Sequence, residues 1–181
     1  MIPVMRSRYS AGLRRIHWLT ALLVAAAYVL IEQRGLFPRG STGRTAMMQG
    51  HFWVGLSILG FTAWRIVLRV RARGRIPAVS PALPAWQAAL SKLLHLSIYA
   101  FLVAMPLLGL ATMWTSGRTF QLPGIGAVVP SLLPLDRVLS HRLEDLHGEI
   151  GEIFYWVFGL HIAAALYHHL WRRDDTLRRM L

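Results

Sequence analysis

The stretch HGEIGEIFYWVFGLH, residues 147–161, decides how this chain folds. It is apolar at its centre and carries a histidine at each end. Read as an α-helix it turns about 100° per residue, so fourteen positions return His147 and His161 to one face roughly four turns apart. At ~1.5 Å per residue they stand about 21 Å apart along the axis, less than the ~30 Å apolar thickness of a bilayer. A single membrane-spanning helix therefore offers one imidazole near each surface, both directed inward. Ionisable side chains inside such a segment are costly in lipid and mark functional positions.

Working outward, the 181-residue chain is 55% hydrophobic with a mean hydropathy of +0.44. Four apolar stretches stand out, at 16–31, 51–70, 93–114 and 153–171. Flanking apolar residues extend each towards the ~20 positions a spanning helix needs. A soluble bundle would show wider polar faces. The reading is an all-α integral membrane four-helix bundle, one domain over 1–181, with helices at about 13–36, 47–71, 86–114 and 143–172. Pro106 followed by Gly109 predicts a kink in the third helix. The stretch 73–84 reads as a cytoplasmic loop and 116–134 as an outer loop. A short interfacial helix is expected at 135–145, running into the fourth span. Trp18, Trp53, Trp86, Trp114 and Trp171 fall near span ends, as an aromatic belt does.

The net charge is +12, unevenly spread. Fourteen of the twenty Lys and Arg residues fall on one side: Arg6, Arg8, Arg14 and Arg15, then Arg65, Arg69, Arg71, Arg73, Arg75 and Lys92, then Arg172, Arg173, Arg178 and Arg179. Only Arg34, Arg39, Arg44, Arg118, Arg137 and Arg142 fall on the other, together with six of the eight acids. The positive-inside rule then places both termini in the cytoplasm. Because the basic residues flank apolar spans, they point to anionic membrane lipid and not to nucleic acid. The first span is not read as a cleaved signal, since it opens on His17-Trp18 and stays apolar past Ala27. The absence of cysteine excludes c-type haem attachment, thiolate metal sites and disulfides.

This topology gives each histidine a depth. His51 and His147 share the outer level. His161 lies at the inner level with His17, and His95 competes with His17 there. His141, His168 and His169 read as solvated. Two histidines facing each other across a bundle suit bis-axial ligation of haem iron, which leaves no open position and favours electron transfer. Gly55 and Gly151 each follow a histidine by four residues, where a flat macrocycle needs room. With Gly148, Ala164 and Ala165, they fit ordinary close helix packing equally well. Arg65, fourteen residues after His51, shares its face. It reads either as a partner for a haem propionate or as a snorkelling interfacial arginine.

These residues resemble the prokaryotic cytochrome b561 family along nearly the whole chain. The matching segments are Tyr9-Ser10, Ile16-His17-Trp18-Leu19, Gly35-Leu36-Phe37-Pro38-Arg39, His51 with Gly55 and Ser57-Ile58-Leu59, and His95 with Ile98-Tyr99. They continue with Pro106-Leu107-Leu108-Gly109-Leu110, His147, Gly159-Leu160-His161-Ile162-Ala163-Ala164-Ala165-Leu166, His168-His169 and Thr176-Leu177-Arg178-Arg179-Met180. The resemblance implies two haem b groups, the inner on His17 and His161 and the outer on His51 and His147. It is similar to the arrangement in cytochrome b subunits of formate dehydrogenases and some hydrogenases, whose third helix supplies no iron ligand. That demotes His95 to a neighbour of the inner haem or of a quinone. The family also implies the bacterial inner membrane, a membrane quinone such as ubiquinone as partner, and in one branch superoxide as the outer-face electron donor.

The leading expectation is a dihaem relay from an outer donor, superoxide above all, to membrane quinone: an oxidoreductase of the superoxide oxidase type. No catalytic acid or base can be named, and His95, Arg14 and Lys92 are the polar candidates beside an inner quinone. One alternative is a cytochrome b anchor for a larger dehydrogenase or hydrogenase. Another, of a different class, is a metal-ion transporter built on paired histidines, against which the spans lack inward carboxylates.

Overall fold

The computed structural model describes residues 8–73, 76, 79–118, 120–121 and 128–181. Arg6 and Arg75 of the basic set, and 122–127 of the outer loop, lie outside the described residues. Helix α1 spans Ala11–Gln33 and is started by Ser10, whose hydroxyl accepts from the Leu13 amide at 3.4 Å. It ends in a single 3-10 turn, Arg34–Leu36. Gly40 takes a positive φ of 81° that turns the chain back. Ser41 then caps α2, Thr42–Arg71, by accepting from the Arg44 amide at 3.3 Å.

Helix α3, Ala85–Ser116, follows Pro84, runs through Pro106 and stops at Gly117, whose φ of 72° makes a left-handed cap. Two short antiparallel strands follow, β1 (Phe120–Gln121) and β2 (Val128–Val129). The sequence reading had only a loop there. Asp136 starts α4, Arg137–Tyr167, by accepting from the Leu139 amide at 2.9 Å. The expected interfacial helix at 135–145 is therefore the first turns of α4 itself. Helix α2 likewise begins five residues before its expected start at 47. Both extensions are polar, so apolar patterning passes over them while the caps define them.

Among the described residues these four helices are long and apolar enough to cross a membrane. Helix α1 lies along α2, and α4 along α3, and the two hairpins meet through α2 and α3. At mid-depth Ile58 packs with Phe101, Leu102 and Met105, and Phe154 stacks on Phe101 with ring centroids 3.9 Å apart. This apolar plug separates the level of His51 and His147, labelled outer after the expected topology, from the level of His17 and His161, labelled inner. Elsewhere large apolar side chains face outward, with Trp156 83% exposed, as suits a surface solvated by lipid tails.

After α4 the backbone makes a π turn, His168–Arg172, then reverses at Arg173 with φ 53°. The strap that follows folds back under the inner end. Asp174, 2% exposed, accepts from His168 Nδ1 at 2.5 Å and from the Thr176 amide at 2.9 Å. Burial alone would push this carboxyl up, but the His168 and Thr176 hydrogen bonds outweigh it and hold it below the usual carboxylate range. The pair is a charge-assisted contact. His168 and His169 are thus not solvated as expected: both are half-buried, and His168 is engaged by Asp174. His141 is exposed, in line with its reading.

Candidate functional site

Helix α4 supplies a histidine at each level, and a different helix answers each one. At the outer level His51 of α2 faces His147 with ring centroids 6.1 Å apart and planes at 74°. His51 Nδ1 donates to the Ala27 carbonyl of α1 at 2.9 Å, which sets the tautomer and leaves Nε2 a free lone pair. His147 Nδ1 approaches the Met105 carbonyl outside hydrogen-bonding geometry and is buried without a partner.

At the inner level His17 of α1 faces His161 with centroids 6.3 Å apart and planes at 75°. His95 of α3 also meets His161, closer, at 5.3 Å. Its Nδ1 donates to the Ser91 carbonyl of its own helix at 2.6 Å. His17 Nδ1 is buried with no partner. Among the described residues no three His, Asp or Glu side chains converge on a metal-sized point, so the inner trio is not a closed ion site.

Space accompanies the outer pair. A cavity of about 290 Å3 is lined by His51, Gly55, Gly109, His147, Gly148 and Gly151, among others. Side chains at Gly55 or Gly148 would begin in open space. A Cβ at Gly109 would lie 3.5 Å from His147 Cε1. A Cβ at Gly151 would meet the flexible Met105 tip at 3.7 Å. The sequence reading had Gly55 and Gly151 but took Gly109 only as a kink companion of Pro106. Its place against His147 depends on the register of α3 on α4, which no local pattern carries.

Arg65 is 8% exposed, with its guanidinium 5.4 Å from the Tyr99 ring centroid. That burial is not the placement of a snorkelling side chain. Among the described residues no carboxylate pairs with it. The Thr62 and Tyr99 hydroxyls nearby are also buried without partners. Of the remaining polar candidates, Arg14 donates to the Leu181 carbonyl and Lys92 is exposed.

A metal ion between two imidazoles needs two bonds of about 2 Å plus the ring radius at either end, roughly 6 Å between centroids. The 6.1 Å and 6.3 Å pairs meet that span, and the 5.3 Å pair falls short of it. With buried imidazole nitrogens and a glycine-lined cavity, the residues present fit a haem.

An apolar four-helix bundle with imidazoles paired across its interior is the architecture of a membrane b-type cytochrome. The profile of the family described as prokaryotic cytochrome b561 matches residues 8–181. The chain is 33% identical over 175 residues to cytochrome b561 homolog 1 of Escherichia coli (strain K12), covering 97% of each protein. It is 32% identical over 177 residues to the probable superoxide oxidase CybB of Yersinia pestis, covering 98% of this chain and 97% of that one. The chain belongs to the prokaryotic cytochrome b561 family. It is a multi-pass bacterial membrane cytochrome that transfers electrons.

Proposed function

We propose that His51 and His147 hold an outer haem b and His17 and His161 an inner one, as a single-domain relay in the bacterial inner membrane with both termini cytoplasmic. The observation that carries this reading is the pair of cross-helix histidine spacings, 6.1 Å and 6.3 Å, at two depths of one helix. Bound there, the haems supply one-electron chemistry. The protein does the rest. Ala27 fixes the His51 ring, Gly55 and Gly109 leave room, and the Phe101–Phe154 stack keeps the layer between the levels dry. Arg65, buried and paired with no carboxylate among the described residues, would neutralise an inner propionate.

We further propose that superoxide is the donor at the outer face and a membrane quinone the acceptor. The relative named as a probable superoxide oxidase supports this. Superoxide gives up one electron and leaves as dioxygen. Two such electrons and two protons convert quinone to quinol. His51 and His147 would hold the outer haem between them, and the group would supply the one-electron chemistry that oxidises the donor. Arg34 and Arg118 line the outer cavity alongside Glu32, Glu144 and Glu152, so no net positive field draws an anion there and direct contact with one of the two arginines guides it.

The reduced-minus-oxidised spectrum of the detergent-purified protein, with pyridine haemochrome quantification, tests the first part. The expected result is a b-type spectrum at about two haems per chain. A colourless protein, prepared with haem supplied, overturns it. Enzymatically generated superoxide should then reduce the cytochrome, and added quinone should reoxidise it. Full haem content with no reduction by superoxide overturns the donor assignment alone. A side-chain series at Gly109 provides a steric check. Because a Cβ there makes only ordinary contact with His147 at 3.5 Å, Gly109→Ala should keep both haems. Gly109→Leu should displace the ring and cost the outer one, read as haem per chain.

A further inference from the structure

We propose that the strap 173–181 positions His17 through Trp18, and so sets the geometry of the inner site. This rests on the reading of His17 as a haem ligand.

The four paired histidines are not held alike. His51 has its Nδ1 hydrogen bond to Ala27, the kind of outer contact that usually orients a ligating imidazole. His17 Nδ1 has none. Its ring meets instead the edge of Trp18, with centroids 5.4 Å apart at 65°. Trp18 is itself fixed from outside its helix, since its indole N–H donates to the Met180 carbonyl of the strap at 2.9 Å. The strap grips the same end of α1 at two more places. Arg14 donates to the Leu181 carbonyl. The Tyr9 amide donates to the Arg179 carbonyl at 3.1 Å, while Arg179 lies over the Tyr9 ring at 5.0 Å and donates to its hydroxyl at 3.2 Å. Tyr9, Arg14 and Trp18 bracket His17 on both sides.

The strap also closes a gap in the helix packing. His17 rides on α1 and His161 on α4, but α1 packs along α2 and α4 along α3. In lipid no hydrophobic force draws α1 and α4 together. Their outer halves are linked by Tyr28, whose hydroxyl donates to the Gly151 carbonyl at 2.8 Å. The inner halves are linked by the strap, which leaves α4 at Arg173 and ends against α1. Its course is locked by the buried Asp174 on His168 and by Asp175, which accepts from the Ser80 amide at 2.9 Å. The spacing of the inner histidines is thus held from below, through Trp18 and the inner end of α1.

The test compares four variants of the purified, haem-loaded protein: Trp18→Phe, Asp174→Ala, deletion of residues 174–181, and His17→Ala as control. The readouts are haem per chain, the low-spin electron paramagnetic resonance signal of each haem, and the midpoint potential of each. The two haems are told apart in a His51→Ala background. Trp18→Phe keeps a ring beside His17 but loses the tether. It and Asp174→Ala should shift the signal and potential of the inner haem, with both haems retained and the outer one unmoved. The deletion should lose the inner haem, so that haem per chain falls by about half. If His17→Ala loses one haem while both point variants leave both signals in place, the strap inference is wrong and the ligand reading stands. Equal shifts at both haems mean a merely structural strap and overturn the inference as well. If His17→Ala keeps both haems, the ligand reading falls and takes the inference with it. A deletion variant that does not fold leaves the point variants to decide.

Discussion

His147→Ala is expected to bring haem content from about two per chain to about one, and His51→Ala to do the same with the same haem lost. Each substitution removes one side of a pair whose rings stand 6.1 Å apart across the bundle. The remaining imidazole cannot close the gap, because α2 is held against α1 by packing and by the His51–Ala27 hydrogen bond. The vacated volume adds to a cavity already about 290 Å3. A haem held by one histidine in an enlarged pocket should be lost to detergent and dilution. Residues acting as one unit are not additive. The double variant should therefore lose no more haem than either single, keep the inner spectrum, and take up electrons from superoxide at least tenfold more slowly. A double variant that loses both haems would show that His51 and His147 serve different groups.

The fourteen-residue interval between His147 and His161 carried much of this architecture, because helix geometry turns such an interval into one face and two depths without tertiary information. Charge asymmetry then sorted the remaining histidines by level. What escaped the sequence has physical causes. The starts of α2 at Thr42 and α4 at Arg137 are polar turns beyond the apolar spans, set by the Ser41 and Asp136 caps. His168 and Asp174 meet across a π turn and a left-handed residue, a path that no 3.6-residue periodicity describes. Arg65 was legible as sharing the His51 face. Its burial under Tyr99 was not, since that depends on how α3 lies on α2. The same is true of Gly109 against His147. The strap was the least legible part: its segment matched the family, but its contacts with Tyr9, Arg14 and Trp18 span more than 160 residues of sequence.

The inner level offers the sharper contest, because three imidazoles meet there and only two can hold one iron. His17→Ala should abolish the inner haem and leave about one per chain, whereas His95→Ala should keep about two. The centroid spacings decide the ranking. His17 and His161, at 6.3 Å, leave the span that two metal–nitrogen bonds occupy, while His95 and His161, at 5.3 Å, do not. Placing iron between the latter would require α3 and α4 to separate, against the longest run of packing that α4 makes and the Phe101–Phe154 stack one level up. His95 is also committed to its own helix through Ser91, at a short 2.6 Å, and sits beside the α4 ligand as a lateral neighbour. Its loss should move the inner potential without emptying the site, since it removes a polar neighbour of His161 and neither of the two histidines proposed to hold the haem. His17→Ala should leave His161 without its facing imidazole, and Arg65 as a buried cation without the propionate proposed for it. That variant should lose thermal stability as well as haem, by about 3 kcal/mol or more if the orphaned arginine behaves as a broken buried ion pair does. The measurement is haem per chain and the spectrum of what remains, in both variants side by side. Retention in His17→Ala with loss in His95→Ala would transfer the inner site to α3 and pair His95 with His161.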